Sequence, residues 1–169
     1  MGAYLSAPDT RKESEIGSTT DGWQFGVSSM QGWRRTQEDA HIVHQLGQGT
    51  NVFGVFDGHG GREVSNYAKA HFADALTSQK TYGKDVGSAL VGAFHRIDEL
   101  LEDKSNLPEV NSLKKDPREK PEGSEGGGSG EVPSRSWRVD LHGVGPPALV
   151  SAQAPERLPS LALACAFSR

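Results

Sequence analysis

One cysteine, Cys165, is all that the 169 residues contain, so no disulfide can form within the chain. A reducing intracellular compartment, cytoplasmic or nuclear, is therefore expected. The sequence also lacks any basic block of the kind that tracks a nucleic-acid backbone, and 18 Lys and Arg against 22 Asp and Glu leave a net charge of -4. No nucleic-acid partner is expected. No apolar run approaches the ~20 residues of a membrane-spanning helix, and the N-terminus lacks the basic-then-apolar order of a signal peptide. Neither a transmembrane nor a secreted protein is expected. Hydrophobic residues are sparse as well, at 34% with a mean hydropathy of -0.56, which is lean for a chain of single-domain length. Part of the chain is expected to remain outside any core.

What is present changes character along the chain. Residues Ala7 to Asp21 are rich in Pro, Ser, Thr and charge without a period, which predicts a flexible segment over 1–21. From Trp23 the apolar residues Trp23, Phe25 and Val27 alternate with Gln24, Gly26 and Ser28, the period of a half-buried strand. Gln31 and Gly32 mark a turn. His41 to His44 predict a second strand, and Val52 to Phe56 are apolar enough for a third, central one. Short turns between the three favour antiparallel pairing. Residues 62–79 then carry Val64, Tyr67, Ala68, Phe72, Ala75 and Leu76 at helical spacing. Asp85 is placed to cap a second helix striped by Val86, Leu90, Ala93, Phe94, Ile97, Leu100 and Leu101. After Leu113 the pattern dissolves into Lys114 to Pro121 and a Gly- and Ser-rich stretch. Residues 22–113 are thus expected to hold the structured domain, and 114–169 a low-complexity linker and a disordered tail.

Chemistry concentrates at two places. Asp57-Gly58-His59-Gly60-Gly61 begins where the third strand ends. A carboxylate there can project from a rigid backbone toward a divalent cation, and Gly58, without a Cβ, lets its carbonyl approach the same ion. Gly60 and Gly61 permit a sharp turn into the helix, whose first amides can face an anion. An Asp-Gly pair is equally an ordinary turn. The second cluster, Arg34-Arg35-Thr36-Gln37-Glu38-Asp39, adds two carboxylates and an arginine suited to bidentate phosphate binding. Its plain alternative is a pair of surface acids matched with Arg34 and Arg35. Hard cations need few carboxylates because they keep several waters, and the two clusters flank neighbouring strands. His41 and His44, three apart on a strand, point to opposite faces and do not suggest zinc.

Ser28 to Arg34, Glu38 to His41 and Val55 to Gly61, in that order and spacing, resemble the PPM-type, metal-dependent protein serine/threonine phosphatases, also called type 2C. Met1 to Ser6 is similar to the start of gamma-type members. The resemblance spans Gly22 to Asp103. It implies an α+β fold, an antiparallel β-sandwich flanked by helices in αββα layers, of which only the N-terminal part is present. It also implies two Mn²⁺ or Mg²⁺ ions, with phosphoproteins as substrates and water as the attacking group. Under that resemblance Asp57 bridges the two metals, Gly58 supplies a backbone carbonyl, Glu38 and Asp39 are metal ligands directly or through water, Arg34 holds the substrate phosphate, and His59 protonates the leaving oxygen.

Later family motifs are not found: Asp116 and Asp140 are the only aspartates after Asp103, and neither stands before glycine. The expectation is an authentic N-terminal portion joined to a divergent tail, either partly active, a catalytically dead phosphoprotein-binding or regulatory fragment, or a chain that does not fold. Separately, Met1-Gly2-Ala3-Tyr4-Leu5-Ser6 satisfies the M-G-x-x-x-[ST] pattern for acylation of Gly2. One myristoyl chain anchors reversibly, so weak membrane association with a soluble pool is expected.

Overall fold

The computed structural model describes residues 4–47, 49–115 and the backbone of three strands further along. Its elements run β1 (Asp9–Ser18), β2 (Gln24–Gly32), β3 (Ala40–Gly47), β4 (Thr50–Asp57), α1 (Glu63–Thr77), α2 (Val86–Glu102), α3 (Leu107–Ser112), β5 (Arg138–Asp140), β6 (Leu149–Gln153) and β7 (Leu161–Ser168). The strands form two sheets, one ordered β1-β2-β6 and the other β3-β4-β7-β5. All pairs are antiparallel except β4 with β7. This is an α+β fold, as the sequence predicts.

β4 shows why the sheets stack. Its residues alternate between faces, yet Val52, Phe53, Val55 and Phe56 are all buried. Phe53 meets Trp23 and Phe25 of the first sheet, with ring centroids 6.2 and 6.1 Å away. Phe56, on the other face, meets Phe72 of α1 at 5.5 Å, and Phe72 meets Phe94 of α2 at 5.0 Å. Helices therefore cover one face of the second sheet, and the first sheet covers the other. Each buried phenylalanine contributes about 2 to 3 kcal/mol of apolar transfer. Among the described residues, helices lie on this one outer side alone; Ile16 and Met30 stand exposed on the far face of the first sheet.

Both predicted helices form. α1 starts one residue after Arg62, and Asp85 caps α2 by accepting the Ser88 amide at 3.1 Å. Three expectations need correction. β2 does not pair with β3; it pairs with β1, and the two central hairpins fall in different sheets. Residues 9–18, read as flexible, form that edge strand, and Asp21 beyond it accepts a hydrogen bond from Asn51 Nδ2 of β4 at 2.8 Å. The backbone amides of β2 need a partner on each side, and a polar, exposed strand supplies it as well as an apolar one. The tail, expected to be disordered, contributes β5, β6 and β7, with β7 on the open edge of β4. Of the linker expected over 114–130, residues 116–130 lie outside the described residues.

Candidate active site

Asp57 is the last residue of β4, and Asp39 immediately precedes β3, its antiparallel neighbour. Because Ala40 pairs with Phe56, the register sets the two aspartates side by side at one end of the second sheet. Burial first, and then the adjacent Asp57 carboxylate, hold the Asp39 carboxyl above the usual carboxylate range; Glu38 adds to this, while Arg34 and a hydrogen bond from the Gly58 amide oppose it. Arg34, Glu38, Asp39 and Asp57 thus share one electrostatic neighbourhood.

Glu38, which the resemblance makes a metal ligand directly or through water, is held by two hydrogen bonds. Its Oε1 accepts from Thr36 Oγ1 at 2.7 Å, and its Oε2 accepts from the Gly60 amide at 3.1 Å. The Gly60 amide, in the turn ahead of α1, thus faces an anion, and that anion is the chain's own carboxylate. The Glu38 carbonyl accepts from the Ser65 hydroxyl on α1, which also donates to the Arg62 carbonyl at 3.0 Å. The loop before β3 is therefore pinned to the start of the helix after β4.

Gly58 lies inside this junction. A Cβ on it would stand 2.3 Å from the Glu38 carbonyl oxygen and 2.9 Å from the Glu38 Cβ, so only glycine fits without backbone movement. Gly60 and Gly61, at φ of 75° and 142°, then make the turn into α1. His59 is exposed, its Nδ1 3.9 Å from Asp57 Oδ1, too far for a hydrogen bond. Arg34 is exposed on a loop shaped by Gln31, whose amide donates to the carbonyls of both Arg34 and Arg35 at 3.0 Å.

The structure accordingly brings together Arg34, Glu38, Asp39, Asp57, Gly58 and His59, while Gly2 lies outside the described residues. Thr36, Ser65 and Gln31 are the positioning residues that sequence reasoning missed. Only Thr36, two residues before a glutamate, carried a local signal. Among the described residues, no three His, Cys, Asp or Glu side chains converge closely enough to enclose a metal ion by themselves.

The model of the protein phosphatase 2C family matches residues 23–116. Probable protein phosphatase 2C 6 of Paramecium tetraurelia is 42% identical over 116 residues, covering 68% of this chain and 39% of that protein. Probable protein phosphatase 2C 58 of Oryza sativa subsp. japonica is 45% identical over 115 residues, covering 67% of this chain and 31% of that protein. Protein phosphatase 2C 1 of Paramecium tetraurelia is 43% identical over 116 residues. The chain spans 31% to 39% of the length of the first two. Asp39, just before β3, and Asp57, at the end of β4, lie inside the matched region, which covers more than half of the sequence, and the chain belongs to the protein phosphatase 2C family.

Proposed function

We propose that these residues form part of a metal-dependent centre that hydrolyses phosphoserine and phosphothreonine in proteins. The proximity of Asp39 and Asp57 carries the reading: two carboxylates close enough for one to disfavour ionisation of the other are what a divalent cation stabilises. The donor set fits Mn²⁺ or Mg²⁺ in kind, with oxygens from Asp39, Asp57 and the Gly58 carbonyl at a solvent-accessible end of the sheet. Glu38 accepts one hydrogen bond on each oxygen and keeps lone pairs on both, so it serves the ions directly or through water while orienting the Gly60 amide. When bound, two such ions supply an ionised water near neutral pH and positive charge to offset the phosphoryl oxygens.

The chain's own side chains complete the chemistry. Arg34 clamps two phosphate oxygens with its planar fork and orients the phosphorus. His59, exposed beside Asp57, passes a proton to the departing serine or threonine oxygen and spares the formation of an alkoxide. Gly2 is the acyl acceptor in a protein with an intracellular, cytoplasmic or nuclear pool and a minor membrane-associated one.

Release of inorganic phosphate from a phosphothreonine peptide tests the reading. The full chain should require Mn²⁺ or Mg²⁺, and Asp57→Ala should reduce turnover by at least about a hundredfold, since even the partners of metal ligands are worth tenfold to a hundredfold. Metal-independent release, or release unaffected by Asp57→Ala, would contradict it. A second reading is a phosphoprotein-binding module without turnover. Phosphopeptide binding that depends on Arg34, with no release of phosphate, would select that reading.

A further inference from the structure

The Leu5 amide donates to the Trp33 carbonyl at 2.9 Å, which ties the N-terminal segment to the loop between β2 and β3. Tyr4 and Trp33 are 71% and 54% exposed there, and Met30, at the end of β2, is 47% exposed. The backbone bond brings Tyr4, next to Leu5, to the loop that carries Trp33, so two exposed aromatic residues stand on neighbouring backbone segments, where isolated exposed ones would need no explanation. Arg35 follows Trp33 on the same loop, is exposed, and has no ion pair among the described residues. Gly2 is two residues from Tyr4, so an acyl group on it would enter within about 7 Å of the tyrosine backbone.

We propose that Tyr4, Trp33 and Arg35 form a docking face for an anionic lipid bilayer, the second signal that a single acyl chain needs for stable attachment. The proposal rests on acylation of Gly2. In that modification hydrolysis of the Met1–Gly2 peptide bond frees the Gly2 amine, which attacks the carbonyl of a long-chain acyl thioester. The C–N amide bond forms, the C–S bond breaks, and the thiol leaves with the amine proton. One myristoyl chain alone holds only marginally. Aromatic rings that are apolar in body and polar at the tip settle at the headgroup level, and a basic side chain beside them meets the negative charge of the lipid. A chain of net charge -4 is repelled by such a surface in most orientations, so attachment requires a local face of this sign. Arg34 lies between Trp33 and Arg35 on the same loop.

The test uses the full chain prepared with and without myristoylation, its state read by mass spectrometry, and co-sedimented with vesicles of phosphatidylcholine alone or with added phosphatidylserine. The acylated chain should bind the anionic vesicles about fivefold more tightly, the weight of one basic residue near such a surface, and Arg35→Glu should erase the preference. Trp33→Ala and Tyr4→Ala should each weaken binding to both vesicle types. An acylated chain that binds both vesicles equally and ignores all three substitutions overturns the docking face and leaves acylation standing. If mass spectrometry finds no acylation, that reading fails by itself; the unmodified chain must then still favour anionic vesicles through Arg35, and indifference overturns the face. Loss of phosphothreonine-peptide binding in Trp33→Ala with vesicle binding unchanged would assign the patch to peptides and overturn it also.

Discussion

At Gly58 the absence of a side chain is dictated by the Glu38 backbone above it, 2.3 Å from where a Cβ would be. Gly58→Ala should destabilise the chain by about 1 to 3 kcal/mol, the cost of forced backbone shifts in a packed site, and thermal unfolding would register it. An unchanged melting temperature would mean that the loop before β3 yields freely. Asp98 behaves in the opposite sense. Its Oδ1 is buried without a hydrogen-bond partner, and burial raises its carboxyl above the ordinary value, with Glu102 adding and His95 opposing. The folded state then holds the proton more tightly than the unfolded one, so the ionised group costs stability above the folded pKa. That cost disappears as pH falls below the unfolded value of about 3.9. Asp98→Asn should therefore raise the melting temperature at pH 7, with the gain shrinking toward pH 4; a gain independent of pH would assign the effect to packing.

The elements meet at Phe72. Its ring lies between Phe56 of β4 and Phe94 of α2, fully buried, and so couples the central strand to both long helices. Phe72→Ala should cost about 3 to 5 kcal/mol in denaturant unfolding, while a loss below 1 kcal/mol would show that α2 is not part of the cooperative unit. α1 and α2 were legible because apolar stripes at helical spacing and the Asp85 cap record packing directly in the sequence. β1 was not, since an edge strand with nearly every residue exposed shows no alternation, and its order comes from backbone pairing with β2. The assignment of β2 and β3 to separate sheets was likewise hidden. Short turns suggest antiparallel neighbours, and only the stacking of Trp23 and Phe25 on Phe53 reveals that the chain changes layers after Gly32.

Across the whole molecule, the register of β3 on β4 is what turns a pair of sequence motifs into one site. Ala40 opposite Phe56 brings Asp39 to Asp57, and the pinning of Glu38 by Thr36, Gly60 and Ser65 keeps the two loops together. The motifs marked Asp57, Gly58, His59, Glu38 and Asp39 as candidates, and their convergence was readable only as far as the two clusters flank neighbouring strands. The supporting hydroxyls and the Gln31 bridge were invisible because serine, threonine and glutamine are ordinary loop residues until their partners are known. Direct titration of Mn²⁺ into the full chain, followed by loss of the free-ion paramagnetic resonance signal, tests the central claim that Asp39 and Asp57 hold a divalent cation. Saturable binding that is weakened at least about tenfold by Asp57→Ala and by Asp39→Asn is predicted. Binding that is absent, or that survives both substitutions unchanged, would contradict it.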